Sequence, residues 1–509
     1  KTDAKANENQ IKIIDDIRIT YLTSRLIRVE AGTFTDLASF TVLNRNFQVG
    51  KFNVKKIKNK IFVETSDVIF IIKNGTPICV KIKSSDETQY FKKQKNLKGT
   101  RRTLDATFGK VPLDDGLITK GGAFLLDDST SFLFDNEGHF VKRSGGKDYY
   151  CFAYGKDYSK TIKAFFELSG YTPLVSRFAL GVWWSRYLAY SDSEYINLMD
   201  RFEEEKIPLT VATIDMDWHW VDLKKQFKIN ANGWTGYSWN TELFKDYKSF
   251  LKNLQNRNLK VTLNLHPADG IRHFEDMYND VAKDFKFSCK SDDFWNAYFD
   301  KVHKPYEKDG VDFWWIDWQQ GKKSDIEGLD PLLALNHYHF LDNAENGKLP
   351  LILSRYAGLG SHRYPLGFSG DTAINHKVLD FQPYFTANAA NAAYFWWSHD
   401  IGGHYLGYKD DELYLRWIEF GVFSPILRLH STSNDLLGKE PWKYRRDVYL
   451  SAKKWLNFRH RLIFSLWIIN ATKTAHRFAS LCITLIQTKK VLLMCLMNTF
   501  SEASLLQPP

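Results

Sequence analysis

Cysteine is scarce in this chain: five are spread over 509 residues, at Cys79, Cys151, Cys289, Cys482 and Cys495, with no C-x-x-C pair. Neither a disulfide framework nor a cysteine zinc site is therefore expected to organise the fold. Runs of 18 uncharged apolar residues are also absent, which argues against a membrane-spanning helix. No glycine-rich phosphate loop follows a strand-like run, so a nucleotide-binding open sheet is disfavoured. Lys and Arg outnumber Asp and Glu by 69 to 59, but they are scattered rather than striped along one element. Nucleic-acid binding, which needs clustered cations, is not expected. Lys1 to Gln10 is polar and lacks the apolar centre of a secretory leader. The compartment stays open, with the cytoplasm favoured on that ground, and Asn74-Gly75-Thr76 would be a glycosylation acceptor only in a secreted chain.

Aromatic residues are abundant, with 16 Trp, 25 Tyr and 37 Phe. Such rings fill cores, but their apolar faces also suit sugars. The 44% hydrophobic and 25% charged composition is that of a folded protein, and the length calls for two or three domains.

From Ile11 to about Tyr171 short β-branched runs alternate with polar turns. Val68 to Ile72 is followed by Asn74-Gly75 and then Ile78 to Ile82, a hairpin signature within an antiparallel sandwich spanning residues 1–172. After Pro173 strand-like runs alternate with segments of helical period. The strand-like runs are Phe178 to Trp184, Leu209 to Asp217, Lys260 to His266, Asp312 to Trp318, Leu351 to Tyr356, Leu366 to Asp371, Tyr394 to Asp400 and Pro425 to His430. Between the first two, Tyr195, Leu198, Met199 and Phe202 mark one helical face, with Ser191 or Ser193 as its cap. Eight such units over residues 173–463 predict an α/β fold, a (β/α)₈ TIM barrel, whose site lies where the strands end.

Five of those ends carry acids or bases: Asp215 and Asp217, Asp317, Asp371, Asp400, and His430. A single one could be a helix cap, but ionised carboxylates repeatedly placed beside Trp need partners, and the set predicts a pocket for a polar ligand. Two carboxylates facing one another among aromatics can hydrolyse a glycoside, one attacking the sugar and the other donating a proton. His399, Asp400 and His404 form a rival metal set without a firm ligand spacing; no metal and no cofactor is expected.

The stretches Thr100-Arg101-Arg102-Thr103-Leu104-Asp105, Leu125 to Ser129, Trp183 to Tyr187, Trp315-Ile316-Asp317, Gly367 to Asp371 and His399 to Gly403 stand in this order along the chain. Together they resemble glycoside hydrolase family 31, the α-glucosidase and α-xylosidase group. The resemblance implies Asp317 as nucleophile and Asp371 as general acid and base. It also implies that Asp215, Arg355, Asp400 and His430 hold sugar hydroxyls and that Trp315 and Phe368 wall the pocket. His266 and Asp269 are weaker candidates. Double displacement with retention would follow, for which the two carboxyls should stand ~5 to 5.5 Å apart. The implied activity is that of an exo-acting α-glucosidase on oligosaccharides or α-glucosides. An α-xylosidase or α-glucosyltransferase, or an inactive carbohydrate-binding relative, are the alternatives.

Two departures qualify the resemblance. Many members have Met-Asn-Glu after the nucleophile, where this chain has Trp318-Gln319-Gln320, and Tyr187 stands where some carry a pocket Trp. Beyond Phe464, where C-terminal β-domains usually follow, residues 464–509 form an irregular stretch, read as a frameshift or truncation product.

Overall fold

The computed structural model of the chain describes residues 2–281 and 285–472. The N-terminal half contains two antiparallel five-stranded sheets. One orders Ile11–Ile14, Ile17–Thr23, Leu26–Ala31, Lys147–Ala153 and Ala123–Asp127; the other runs Asn53–Ile57, Lys60–Glu64, Val68–Lys73, Thr76–Ile82 and Thr88–Tyr90. Ile19, Ile27, Val29 and Cys151 of the first sheet share one core with Val63, Phe70, Ile72 and Val80 of the second, which is what alternating β-branched runs produce when two sheets face each other. The expected hairpin is present. Asn74 and Gly75 both take positive φ, 49° and 73°, the backbone that a tight two-residue turn needs.

Eight parallel strands follow: β1 (Val182–Trp184), β2 (Val211–Ile214), β3 (Lys260–Leu265), β4 (Phe313–Ile316), β5 (Ile352–Leu353), β6 (Gly367–Phe368), β7 (Trp397–Ile401) and β8 (Ile426–Leu429). Neighbours pair in sequence from β1 to β5 and from β6 to β8, and β8 pairs with β1. The seam between β5 and β6 is closed by a parallel bridge from Ser354 to Gly367, completing a barrel. Helices Asp192–Glu204, Tyr247–Asn256, Pro331–Asn343, His376–Ala389 and Asp411–Phe423 form crossovers, and Arg446–Thr472 follows β8. Between β5 and β6 the described connection has only the short turn Ser361–Arg363, so this unit lacks its α-helix. Ser191, not Ser193, caps the first crossover helix, with Glu194 completing a capping box. No helix among the described residues is long and apolar enough to cross a membrane. Residues 473–509, most of the expected irregular stretch, lie outside the described residues.

The period-two alternation of a strand explains why the site forms where it does. Phe313 and Trp315 of β4, Leu351 just before β5 and Leu353 on it, Leu366 just before β6 and Phe368 on it, and Ile426 on β8 belong to one buried cluster, the plug of the barrel interior. Trp314, Ile316 and Leu427 belong instead to the cluster that includes the surrounding helices. Continuing the inward series by two residues reaches Asp317 after β4, Arg355 after β5, and Arg428 then His430 along β8. The same alternation that packs the floor therefore presents charged groups above it.

Candidate active site

Asp317 is buried, and Arg355 donates to its Oδ1 twice, from Nε at 3.1 Å and Nη2 at 2.8 Å. Its Oδ2 faces His266 Nε2 at 3.8 Å. Burial alone would raise this carboxyl, but the charges of Arg355, His266 and Arg428 and the Arg355 hydrogen bond outweigh it and hold Asp317 below the usual carboxylate range.

Asp371 meets a different environment. Its side chain is 34% exposed, and it faces His404 Nδ1 at 3.8 Å rather than a guanidinium. Desolvation raises its carboxyl; His404 opposes this, but the charges of Asp400, Asp317 and Asp105 add to it, and Asp371 reaches about 7. Below about pH 7 one acid is ionised while the other holds its proton, although both end strands of one barrel. Such a pair of divided carboxyls is the equipment that acid-base chemistry on a glycosidic bond requires.

The remaining predicted residues surround these two. Asp400 accepts a hydrogen bond from Arg428 Nη2 through Oδ1, while its buried Oδ2 has no hydrogen-bond partner. Burial pushes Asp400 up to about 6 despite Arg428. Asp215 caps the short turn Met216–Trp218, accepting from the Met216 amide at 2.7 Å. Burial, with smaller contributions from Asp317, Asp371 and Asp217, pushes it to about 8. Its Oδ2 lies 4.0 Å from His430 Nε2, and His430 Nδ1 shares a hydrogen bond of 2.7 Å with Ser185 Oγ. Burial and the charges of Arg428 and His404 keep His430 neutral. Asp400 Oδ2, His404 Nδ1 and Trp315 Nε1 are buried without a hydrogen-bond partner in the protein, so each can still bond to a polar ligand.

Trp315 and Phe368 are buried, with their rings crossed at 87° and centroids 5.5 Å apart. Arg355 lies over Phe368 at 4.4 Å and Arg428 over Trp315 at 5.1 Å. The two rings thus hold the guanidinium groups in place from below. His266 belongs to the site, whereas Asp269 pairs with Arg272 at 3.3 Å and has a side chain 46% exposed. Tyr187 is half-buried, and burial with the charges of Asp217 and Asp215 raises its phenol. Gln319 and Gln320 are exposed.

The metal rival divides in two. His399 uses both ring nitrogens, toward Ser369 at 3.0 Å and Thr386 at 2.8 Å, and is not free to ligate. Ligand atoms of Asp371, Asp400, His404 and His430 do lie within 4.8 Å of one another. His430 Nδ1 is engaged with Ser185, which leaves its Nε2 facing the site, and the Arg428 guanidinium against Asp400 sets a positive charge beside the cluster that a cation would have to meet.

Three contributors were not picked out as site residues from sequence: Arg428, His404 as a neighbour of Asp371, and the segment containing Thr103 and Asp105. That segment comes from the N-terminal half. Leu104 N donates to Ser369 O at 2.7 Å, Ala106 N to Asp371 O at 2.8 Å, and Ala373 N to Thr107 O at 3.0 Å, laying residues 104–107 alongside the acid-bearing loop after β6. For Arg428 a signal existed: a charge inside the apolar run Ile426-Leu427-Arg428-Leu429, in phase with His430.

Comparison with known proteins agrees with this architecture. Residues 172–467 match the domain described as "Glycosyl hydrolases family 31 TIM-barrel domain". The chain belongs to glycosyl hydrolase family 31. An α-xylosidase of Saccharolobus solfataricus is 26% identical over 352 residues, covering 62% of this chain and 45% of that protein. Alpha-glucosidase 2 of Bacillus thermoamyloliquefaciens is 22% identical over 391 residues, 67% of this chain and 47% of its own length. The chain thus spans about half the length of these family 31 relatives. Among solved structures, a family 31 α-xylosidase from a soil metagenome complexed with xylose superposes with a TM-score of 0.66 at 16% identity, covering 92% of this chain and 85% of that one. A Flavobacterium johnsoniae family 31 dextranase complexed with glucose gives 0.68 at 17% identity, covering 92% and 68%.

Proposed function

We propose that this chain carries the catalytic site of an exo-acting, retaining α-glycosidase that removes a terminal α-linked glucose. The observation that supports it most is the division of the two acids, with Asp317 held ionised by Arg355 and Asp371 kept protonated by burial and neighbouring carboxylates. Arg355 occupies Asp317 Oδ1, which leaves Oδ2 for attack on the anomeric carbon. As that bond forms, Asp371 gives its proton to the glycosidic oxygen and the bond to the leaving group breaks. In the second half the Asp371 carboxylate takes a proton from water, the hydroxide oxygen bonds to the anomeric carbon, and Asp317 is released with retained configuration. Asp215, Asp400, Arg428 and His430 would bind the sugar's hydroxyls. A terminal xylose is the second reading, favoured by the α-xylosidases among the relatives.

The test is a panel of maltose, isomaltose and aryl α-xyloside, with the anomer of the first product read by proton NMR. Release of α-glucose, with Asp371→Asn hydrolysing maltose at least ~100-fold more slowly, is the expected result. The alkaline limb of kcat/KM should lie near the value of about 7 at which Asp371 loses its proton. Equal hydrolysis by Asp371→Asn would overturn the assignment, and binding of sugars without turnover would identify an inactive relative.

A further inference from the structure

Arg355 holds more than the nucleophile. Its Nη1 donates to Thr103 Oγ1 at 2.6 Å and lies 3.0 Å from Asp105 Oδ2, both from the N-terminal half. The other oxygen of Asp105 accepts the backbone N–H of Asp371 at 2.7 Å. Thr103 Oγ1 in turn accepts the amide of Asp105 at 3.0 Å, fixing the carboxylate's own loop. One side chain therefore touches the guanidinium that ionises the nucleophile and, through its second oxygen, the main chain of the other acid. Gly370 leaves room for this contact. It adopts φ +93°, and a Cβ there would stand 2.0 Å from Asp105 Oδ1 and 2.7 Å from Arg355 Nη1.

We propose that Asp105 is a positioning residue for the acid and base, binding Asp371 and Arg355 into one fixed frame, so that the barrel's catalytic pair is completed by the N-terminal half of the chain. This rests on the glycosidase reading. A backbone amide tied to a carboxylate that is itself paired with the buried Arg355 guanidinium is held in place, and the Asp371 side chain hangs from that amide's own Cα. Small displacements of a proton donor are costly to a reaction that needs it aligned with the leaving oxygen. Asp105 also adds negative charge beside Asp371, a lesser influence than burial and the nearer carboxylate Asp400 but of the same sign. The loop 104–107, hydrogen-bonded along residues 369–373, keeps this carboxylate at a set depth.

The test uses the full chain and two variants. Asp105→Asn keeps an oxygen to accept the Asp371 amide but removes the charge; Asp105→Ala removes both. Each is assayed on 4-nitrophenyl α-glucoside, whose leaving group needs little protonation, and on maltose, whose leaving group needs much. For Asp105→Ala we expect kcat on maltose to fall at least ~10-fold further than on the nitrophenyl glucoside, with KM changed less than kcat. For Asp105→Asn we expect most of the maltose kcat to return and the alkaline limb to move to lower pH. Equal losses on both substrates with an unmoved pH limb would mark a merely structural residue and overturn the proposal. Should Asp105→Ala not fold, the pH limb and leaving-group ratio of Asp105→Asn decide alone. If the unmodified chain turns over none of these substrates nor an aryl α-xyloside, it is the glycosidase reading that fails. A carboxyl ¹³C titration, with Asp371 assigned through Asp371→Asn, then decides on Asp105: a lower Asp371 midpoint in Asp105→Asn upholds the tie, and an identical one refutes it.

Discussion

The chain buries two networks built from the same residue types, with opposite consequences. In the N-terminal sandwich Arg28 grips Asp148 with two donors at 2.8 and 2.7 Å, Arg18 grips Glu30 at 2.6 and 2.9 Å, and Arg143 joins Asp128 to Asp148 at 2.8 and 3.1 Å. Arg18, Arg28 and Arg143 meet Glu30, Asp148 and Asp128, with Arg45 nearby and Arg18 also reaching the more exposed Asp36 at 2.9 Å. Although burial opposes it, Arg28 with help from Arg45 and Arg143 pulls Asp148 down to about 2, and only Asp128, buried beside Asp148, is raised. At the barrel mouth two guanidiniums serve five carboxylates: Arg355 pairs with Asp317 and Asp105 and Arg428 with Asp400, while Asp371 faces His404 and Asp215 faces His430. Arg355 lowers Asp317, while Asp215, Asp371 and Asp400 rise to between about 6 and about 8. A matched network holds a fold together; one short of cations holds protons that chemistry can use.

Exchanging the roles is the sharpest way to break this contrast. Asp317→Asn should lower kcat by at least ~10⁴-fold, on the order of 5 kcal/mol in the barrier, while costing less stability than a sandwich change, because Arg355 keeps Asp105 and Thr103. Asp148→Ala should do the reverse. It takes two hydrogen bonds from the buried guanidinium of Arg28, leaving it only Glu30 as a charged partner, and should cost about 3 kcal/mol of unfolding free energy, measured by denaturant titration, with kcat of the folded fraction unchanged. A sandwich variant that lost kcat without losing stability would show that the two networks are not separable.

The two regions should also answer pH with opposite signs. Asp148, lowered in the folded state, contributes stability that is present above the unfolded value near 4 and is lost as pH falls toward about 2. The raised acids of the barrel bind more protons folded than unfolded between about 4 and 6 to 8, so their contribution is present in acid and declines as pH rises through those values. Hydrogen exchange, corrected for its intrinsic pH dependence, should show the barrel strands losing protection between pH 5 and 8 while strand Lys147–Ala153 does not. Parallel behaviour of both regions would contradict the contrast.

The barrel was legible because its strands are apolar and its acids sit at their ends. Seven of the eight strand-like runs contain the observed strand whole, and Tyr394 to Asp400 stops one residue short of its end at Ile401; Asp317, Asp371, Asp400, Arg355, Asp215 and His430 do converge. What escaped was long-range. Asp105 is 212 residues before Asp317 and on another domain, and no local pattern says that its loop lies along residues 369–373. Arg428 was hidden by the opposite error, since a charge within an apolar strand reads as noise until its phase with His430 is considered. The missing helix between β5 and β6 reflects a short connection rich in Gly and Arg, which turns without room for a crossover. The metal question turned on which ring nitrogens were already engaged, something spacing does not encode.

The smallest expected effect serves as the control. Ser191 caps the helix Asp192–Glu204: its Oγ accepts the Glu194 amide at 3.2 Å, and Glu194 Oε2 accepts the Ser191 amide at 2.8 Å. Neither residue belongs to either network, and both hydrogen bonds are exposed to water. Ser191→Ala should therefore cost about 1 kcal/mol by freeing one helix-terminal donor. It should leave the pH profile of kcat/KM where it was, because the carboxyl shifts at the barrel mouth arise from burial and from charges in that site. A moved limb in this variant would mean that protonation of Asp371 follows global stability rather than its own surroundings, and the distinction between the two networks would lose its electrostatic basis.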